Sequence, residues 1–263
     1  MSADLAVLRN NLEALERVLV AFSGGADSAF LAWVAHDTLG YESARCFTAV
    51  SPSIADSELE ECARLAQEWG LNWEPIKTSE MENAAYRVND SDRCYYCKSA
   101  LMDVAEPVAQ LHDCVVVLGV NTDDLGDHRP GQSAAEERKA RFPLVEAKFS
   151  KADVRAHSQH LGLRTWDKPA AACLASRIPY GTEVSVSLLR KLDRAESALK
   201  ALGFEQLRVR DYGEVARLEF DLDQLSVALE RRMEIIEAVK AVGYQYVTLD
   251  LEGFRSGNLN HSI

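Results

Sequence analysis

The stretch VLVAFSGGADSAFLAWV, residues 18–34, decides the fold class of this 263-residue chain. Its apolar start predicts a buried strand, its glycine pair predicts a turn, and its long apolar end predicts a helix. Gly24 and Gly25 permit unusual backbone angles, so that successive N–H groups can surround an anion at the positive end of the helix. The stretch therefore predicts a phosphate-binding loop at the carboxyl end of a parallel strand, where open α/β sheets bind their ligands.

Polar side chains in the same turn extend this prediction. Ser23 and Ser28 add hydroxyl donors, whereas Asp27 is unexpected beside phosphate unless a cation such as Mg²⁺ lies there as well. The turn lacks the Gly-Lys-Ser/Thr ending of a Walker A loop, and it does not follow the dinucleotide pattern G-x-G-x-x-G. In the structural alternative, the glycines make a tight turn and bind nothing; the Ser-Gly-Gly-x-Asp-Ser order disfavours it.

Predicted strands and helices alternate along the first two thirds of the chain. The clearest strand is the β-branched run CVVVLGVN at 114–121, and alternation of this kind predicts an α/β fold with an open parallel sheet. From Thr182 onward the order changes to helix, hairpin, helix and strand, which predicts a compact α+β unit. We therefore divide the chain into an α/β domain at 1–181 and a small C-terminal α+β domain at 182–263.

Composition limits the classes of function. The formal net charge of −12 opposes a main role in holding nucleic acid and favours a small-molecule substrate. No apolar run is long enough for a membrane span, and the N-terminus has no secretory signal pattern. The six cysteines are therefore expected to be reduced thiols in the cytoplasm, where clusters usually mean metal binding or catalysis.

The segment RCYYCKSAL, residues 93–101, places Cys94 and Cys97 three residues apart just before a predicted helix. Alone, the pair leaves a zinc site, a redox disulfide and an iron–sulfur ligand pair equally open. Cys173 lies among small residues beside Ser176 and Arg177, and a nearby guanidinium would favour its thiolate.

A second candidate site lies in the segment LRVRDYGEVARLEF at 207–220. Arg208 and Arg210 are two apart on a predicted strand and so share one face, with Glu219 on the partner strand of the hairpin. Two guanidiniums on one face suit capture of phosphate or carboxylate, although an exposed strand with alternating charge is an equal alternative. Glu196, on the preceding predicted helix, would ordinarily be a solvated acid. Cys46, Cys62 and Cys114 fit strand or helix patterns and are predicted to be small core residues, and they stand apart from these sites.

The phosphate loop resembles that of the N-type ATP pyrophosphatases, or PP-loop proteins, which include GMP synthetase, NAD synthetase and tRNA-thiolating enzymes. With GVNTDDLGDHRPG, CLASRIPYG and RVRDYGEVARLE following it in this order, the chain resembles the LarE-type ATP-dependent sulfur transferases over nearly its whole length. The resemblance implies an adenine-nucleotide alpha-hydrolase-like fold and use of ATP with Mg²⁺. It also implies adenylation of the carboxylates of pyridinium-3,5-biscarboxylic acid mononucleotide and their conversion to thiocarboxylates for the nickel-pincer nucleotide cofactor.

The same resemblance assigns roles to residues of this chain. Cys173 handles sulfur, Asp27 assists the reaction, and Glu196 and Glu219 bind metal. Nucleotide, substrate and phosphate contacts fall on a larger set: Ser23, Gly24, Gly25, Asp27, Ser28, Ser51, Gly119, Asn121, Asp124, Ser176, Arg177, Arg208 and Arg210. For Asn121 and Asp124 the alternative is a solvated turn.

Cys94 and Cys97 depart from the pattern in which a single sacrificial cysteine, here Cys173, donates its own sulfur. A closed zinc site would need a fourth ligand such as His128. Three cysteines on a 4Fe–4S cluster leave one iron free to carry an extra sulfide, and a branch of the LarE-like family has this triad. We therefore predict a 4Fe–4S cluster bound by Cys94, Cys97 and Cys173, with the sacrificial mechanism as the alternative.

Other functions and partners are also to be weighed. A tRNA thiolase is the enzyme alternative, and a storage protein that holds nucleotide and metal without turnover is the alternative outside catalysis. A mechanism in which the cluster passes on sulfide repeatedly requires a separate sulfide donor. The resemblance also implies a homo-oligomer, of which a hexamer is one form.

Overall fold

The fold is that of a computed structural model, which describes residues 3–126, 130–169 and 172–255. His128, the proposed fourth zinc ligand, lies outside the described residues. The chain forms two compact units. The first takes residues up to 51 together with 56–82 and the part of the chain from 94 to 169, and the second takes 52–55, 83–93 and the part from 172 onward.

Helices and strands alternate as the sequence predicts. The strands are β1 (Val18–Ala21), β2 (Ala44–Val50), β3 (Asn72–Lys77), β4 (Val115–Leu118), β5 (Leu207–Tyr212), β6 (Val215–Phe220) and β7 (Tyr246–Leu249). The helices are α1 (Leu5–Glu13), α2 (Ala26–Leu39), α3 (Asp56–Trp69), α4 (Ala84–Val88), α5 (Arg93–His112), α6 (Pro130–Glu137), α7 (Pro143–Glu146), α8 (Lys151–His160), α9 (Val186–Ala201), α10 (Leu225–Glu230) and α11 (Arg232–Ala241).

The first unit is built on a parallel sheet with the strand order β3-β2-β1-β4. Side chains of β1 alternate between the two faces of the sheet. Val18 and Val20 enter the core beneath α1, α2 and α8, whereas Leu19 enters the core beneath α5 and α6. Both faces of the sheet are therefore covered, which confirms the predicted α/β class.

The strand order decides where a ligand can meet the first unit. β1 lies between β2 and β4, and in a parallel sheet the carboxyl ends of neighbouring strands lie at one edge. The segments that follow β1, β2 and β4 therefore come together at that edge. These segments are the Ser-Gly-Gly turn, the stretch that leads to α3 and the stretch that begins with Gly119.

The second unit contains the predicted hairpin. β5 pairs with β6 antiparallel, with Arg208 opposite Glu219 and Arg210 opposite Arg217, and β7 adds to β6 in the parallel direction. The single helix expected after the hairpin is instead a 3₁₀ turn followed by α10 and α11. Compared with the expected domains, this unit begins nearer the N-terminus, at 172, and includes 52–55 and 83–93.

Two local predictions were wrong. α5 begins at Arg93, so Cys94 and Cys97 lie within its first two turns and do not precede it. The Gly-, Asp- and Pro-rich segment 122–149, which follows β4, predicts a loop, but it contains α6, which begins with Pro130 and Gly131. Those residues suggested a break, but proline at the first position of a helix leaves no hydrogen bond unmade. Within the described ranges, the helices lack the combination of length and apolarity that crossing a membrane would require.

Candidate functional site

The turn between β1 and α2 has a backbone that only glycine accommodates easily. Gly24 adopts φ +68°, the left-handed region that side chains disfavour. A Cβ atom at Gly24 would also lie 3.0 Å from the Sγ atom of Cys62. Gly25 precedes α2 with φ −75° and makes no side-chain cap. The turn therefore exposes backbone where most helices carry a capping side chain.

Backbone donors in this turn are free to bind an anion. Among the residues that the structure describes, no acceptor pairs with the N–H group of Gly24 or Gly25. The Ser23 N–H group donates to Ser28 Oγ at 3.2 Å, and the hydroxyls of these two serines lie 3.0 Å apart. Because the start of a helix carries partial positive charge, free donors at this position are suited to bind an anion.

Acidic side chains stand beside these donors. Burial and the negative charge of Asp124 raise the pKa of Asp27 above its ordinary value, and the Asn121 side chain opposes that rise. Asn121 is fully buried, and its Nδ2 atom does not meet the distance and angle limits of a hydrogen bond with any described residue. Lys151 Nζ lies 3.2 Å from Asp124 Oδ1. The charge of Asp124 thus acts on the carboxyl group of Asp27, and two neighbouring carboxylates suit a divalent cation such as Mg²⁺.

Gly119 brings the end of β4 against the first turn of α2. A Cβ atom at Gly119 would lie 2.8 Å from both the N and Cα atoms of Ser28, a distance at which the backbone must move. The close contact that requires glycine at position 119 is therefore a contact with the backbone of Ser28. Ser51 directly follows β2 at the same edge of the sheet. Their expected contacts with the nucleotide stay predictions.

The Cys94–Cys97 pair lies at the start of α5, within its first two turns. Cys94 is exposed and Cys97 is half-buried, and neither is in a disulfide. A Cβ atom at Gly131 of α6 would lie 3.0 Å from the carbonyl oxygen of Cys94, and the Tyr95 hydroxyl donates to Glu137 at 2.7 Å. Contacts with α6 therefore fix the turn that presents both thiols.

Cys173 is held at the start of a 3₁₀ turn, Leu174–Arg177, in the second unit. It is exposed. The Leu174 N–H group donates to the carbonyl oxygen of Ser53 at 2.8 Å. Arg177 Nη1 donates to the Cys173 carbonyl oxygen and to Ser176 Oγ, each at 3.1 Å. The backbone around the thiol is fixed while the thiol itself is open to solvent.

Arginine and glutamate side chains form a buried cluster next to this turn. Arg177 donates through Nε and Nη2 to the two carboxylate oxygens of Glu196, each at 2.9 Å. Arg210 makes the same fork on Glu219 at 3.0 and 2.9 Å. Arg217 adds a third donation to Glu219 at 3.0 Å. The side chains on the predicted face of the hairpin therefore belong to a cluster of ion pairs, which also includes Glu196 of α9.

The cluster carries more positive than negative charge. Arg208 is buried and stacks over Phe254, with 5.0 Å from the guanidinium carbon to the ring centre. Burial, and after it the charge of Arg177, lowers the pKa of Arg208 to about 10. Among the described residues, these four guanidiniums lie beside three carboxylates, because Asp250 Oδ2 is 3.5 Å from Arg217 Nε. The remaining positive charge favours an anionic ligand at this position.

Glu196 and Glu219 are occupied by these arginines. Glu196 is buried, so it is not a solvated helix acid, and its Oε1 atom also accepts from the Val209 N–H group at 3.0 Å. A metal ion would have to displace guanidiniums from both carboxylates. Over the described residues, no three His, Cys, Asp or Glu side chains form a group that could hold a metal ion. Metal binding by this pair stays a prediction.

Two residues that the sequence analysis did not single out organise the Cys173 turn. Asn89 is buried with φ 61°, and its Nδ2 atom donates to the carbonyl oxygens of Pro179 at 2.8 Å and Thr182 at 3.0 Å. Arg93 donates to the Asn89 side chain and, at 3.0 Å, to the carbonyl oxygen of Ala175. The Asn-Asp-Ser-Asp run at 89–92 signals a turn, but its partners lie far along the chain.

Comparisons with known proteins show similarity over nearly the whole chain. The chain is 46% identical over 266 residues to an uncharacterised protein of Synechocystis sp., covering 100% of this chain and 99% of that protein. It is 36% identical over 264 residues to the pyridinium-3,5-bisthiocarboxylic acid mononucleotide synthase of Lactiplantibacillus plantarum, covering 100% and 96%. An uncharacterised protein of Methanocaldococcus jannaschii is 30% identical over 253 residues, covering 95% and 96%. No protein-family model matches the chain.

An uncapped phosphate loop on a parallel sheet, followed by a small C-terminal unit, defines an α/β protein of the PP-loop type, also called adenine-nucleotide alpha-hydrolase-like. Because the chain is 36% identical over its full length to the synthase of L. plantarum, its family can be assigned more narrowly. The chain belongs to the LarE-type family of ATP-dependent sulfur transferases.

Alanine substitutions at Gly119 and Gly25 should have different effects on stability. Gly119→Ala places a Cβ atom against Ser28 backbone and should lower the free energy of unfolding by about 2–3 kcal/mol. At Gly25 the nearest atom is Ser23 Oγ at 3.6 Å, so Gly25→Ala should change it by less than about 1 kcal/mol. Chemical denaturation of both variants measures the difference, and equal losses would contradict this account of Gly119.

Glu219→Gln should destabilise the second unit strongly. The substitution leaves the buried guanidinium of Arg210 without its counter-charge, which costs about 3–5 kcal/mol. Arg217 is partly exposed and keeps Asp250 Oδ2 at 3.5 Å from its Nε atom. The matched control, Glu237→Gln, changes an exposed helix residue and should stay within about 0.5 kcal/mol of the unchanged chain. Thermal or chemical unfolding compares the two. If both variants unfolded alike, Glu219 would not be the counter-charge of the cluster.

Proposed function

We propose that this chain adenylates the carboxylates of pyridinium-3,5-biscarboxylic acid mononucleotide and converts them to thiocarboxylates in nickel-pincer nucleotide biosynthesis. The observation that carries the proposal is the uncapped, donor-rich turn before α2 in a chain 36% identical, over its full length, to a synthase of the bisthiocarboxylic product. The reaction consumes ATP and yields AMP and pyrophosphate. An ATP-dependent thiolation needs this activation because a carboxylate oxygen is a poor leaving group.

Residues of the first unit would perform the adenylation. The free N–H groups of Gly24 and Gly25, with the hydroxyls of Ser23 and Ser28, hold the β- and γ-phosphates. The two neighbouring carboxylates of Asp27 and Asp124 fit Mg²⁺, which would neutralise phosphate charge when bound. A substrate carboxylate oxygen attacks the α-phosphorus, the bond from that phosphorus to the β-phosphate oxygen breaks, and pyrophosphate leaves with the electron pair.

The buried arginine cluster of the second unit would bind the phosphate of the substrate mononucleotide. Arg208 and Arg210 are buried, so their charges act in a medium of lower polarity than water. Arg177 and Ser176 connect this cluster to the turn that carries Cys173. The substrate is thus held by its phosphate close to the thiol-bearing turn.

Thiolation then replaces AMP at the activated carbon. A C–S bond forms, the C–O bond to the phosphate breaks, and AMP leaves with the former carboxylate oxygen. We propose Cys94, Cys97 and Cys173 as ligands of a 4Fe–4S cluster, because thiolates are its usual donors and these thiols are solvent-accessible or half-buried. When bound, the cluster would supply sulfide, renewed from a separate sulfide donor.

We also propose that the chain forms a homo-oligomer. Large apolar side chains of the second unit are exposed, among them Leu222, Met233, Tyr246 and Leu251. Exposed apolar groups of this kind are common at surfaces that bind other protein chains. Sedimentation equilibrium of the purified chain gives the number of copies, and a monomer at all concentrations would contradict this point.

Iron and acid-labile sulfide per chain test the source of sulfur. Anaerobically purified protein should contain about four irons per chain, and Cys94→Ala should lose them. Cys114→Ala is the matched control, because that half-buried thiol belongs to neither segment, and it should retain iron. Absence of iron together with one turnover per chain would make Cys173 the sacrificial donor. Full sulfur transfer by Cys173→Ala would contradict both mechanisms.

Asp27 should make Mg²⁺-ATP binding depend on pH. The pKa of Asp27 is raised by burial and Asp124, and Mg²⁺ requires the ionised carboxylate. Affinity should therefore fall on acidification through a midpoint above the ordinary aspartate value of 3.8. Calorimetric titration between about pH 4 and pH 7 measures it; a flat profile would contradict the assignment.

The raised pKa of Asp27 also affects the stability of the fold. Acidification, which should weaken Mg²⁺-ATP binding, should favour the folded chain. A raised pKa in the folded chain stabilises the fold at low pH, and this contribution is lost as pH rises through that pKa. Asp27→Asn should therefore raise the free energy of unfolding at neutral pH, by about 1 kcal/mol, while abolishing Mg²⁺-dependent binding. The control Asp113→Asn changes an exposed residue and should alter neither property.

A further inference from the structure

A lysine distant in sequence reaches the phosphate loop. The ideal Cβ position at Gly24 lies 3.8 Å from the Nζ atom of Lys168. Gly24 has no side chain, so the ammonium group lies close to the backbone of the turn whose N–H groups are free. Lys168 belongs to the segment between α8 and the second unit, and the motifs of the sequence analysis do not include it.

The backbone that carries Lys168 is fixed to the first unit. Its N–H group donates to the carbonyl oxygen of Thr165 at 3.2 Å, and Thr165 and Leu163 are buried. Arg164 donates to two acids of α3, to Glu61 at 2.5 Å and to Glu68 at 2.8 Å. The side chain of Lys168 is 19% exposed, so its position near the turn is set by packing as well as by charge.

Glu58, in the first turn of α3, holds the ammonium group at 2.8 Å. α3 follows β2, whereas Asp124 follows β4, and these strands lie on either side of β1. The turn after β1 is therefore flanked by an acid pair on the β4 side and by the Lys168–Glu58 ion pair on the β2 side. The ion pair is partly exposed, so water screens it and its contribution to stability is small.

We propose that Lys168 binds the β- and γ-phosphates of ATP, and that Glu58 keeps its ammonium group beside the turn until the polyphosphate arrives. Backbone N–H groups offer only partial charges, whereas the departing pyrophosphate carries several negative charges. A lysine ammonium group supplies the full positive charge. A Walker A loop carries such a lysine within the loop itself; in this chain it comes from a later segment. The inference rests on the proposed function, because it assumes that ATP occupies this turn.

Binding of ATP, inorganic pyrophosphate and AMP to the full-length chain separates the possibilities. Lys168→Gln should weaken ATP and pyrophosphate binding by about tenfold or more and leave AMP binding within about twofold. Lys240→Gln, which makes the same charge change on an exposed residue of α11, should bind all three as the unchanged chain does. Lys168→Arg should recover part of the lost affinity.

Glu58→Gln distinguishes a binding role from a structural one. It removes the carboxylate that competes with phosphate, so pyrophosphate should bind as tightly as in the unchanged chain or more tightly. If the ion pair served only to join the segment to α3, both variants would weaken AMP and pyrophosphate equally, and the inference would be overturned.

The outcomes for the inference and for the proposed function differ. Tight pyrophosphate binding by both the unchanged chain and Lys168→Gln would overturn the role of Lys168 and leave ATP use intact. Failure of the unchanged chain to bind ATP or pyrophosphate would overturn both. Should Lys168→Gln fail to fold, the Lys168→Arg and Glu58→Gln measurements decide the question by the same criteria.

Discussion

The free N–H groups at the start of α2 are the constraint on which the first unit depends. A helix that begins without a side-chain cap leaves donors unsatisfied, and here the two glycines before it also leave theirs unpaired within the described chain. The sheet tolerates this because β1 ends at the edge where solvent or a ligand can reach the turn. Gly119 then brings β4 so close that the first turn of α2 has no room to shift. The proposed anion site is thus fixed by packing in the absence of a ligand, which would lower the entropic cost of binding.

The second unit uses the same principle with side chains. In its buried cluster, the four guanidiniums outnumber the three described carboxylates beside them, and burial lowers the pKa of Arg208, so the cluster is less favourable without an anion than with one. Glu196 neutralises Arg177, and Glu219 neutralises Arg210. These ion pairs also hold the remaining positive charge of the cluster in a fixed position. Functional sites often hold such charge at the expense of stability. Both units therefore present positive charge in prearranged form, one through backbone and one through arginine.

Local patterns predicted the strand, turn and helix of the phosphate loop, the parallel sheet and the β5–β6 hairpin, because each depends on residues near in sequence. The start of α5 and the presence of α6 were missed, since a Cys-x-x-Cys pair and a Pro-Gly step suggest breaks whose outcome depends on packing. The burial of Glu196 and the position of Lys168 could not be predicted, because their partners are Arg177 and Glu58, far away in the chain. A single sequence carries no signal for such pairs.

Burial also sorts the six cysteines by the chemistry open to them. Cys46 and Cys62 are buried as predicted; burial raises the pKa of the Cys46 thiol to about 12 and raises the pKa of Cys62. Both therefore stay neutral thiols, and Cys62 can lie beside Gly24 without placing a thiolate next to phosphate. The half-buried Cys114 has a raised pKa for the same reason. Cys94 and Cys173 are exposed and Cys97 is half-buried, so a substrate or a cluster can reach these three thiols, as the proposed ligand set requires.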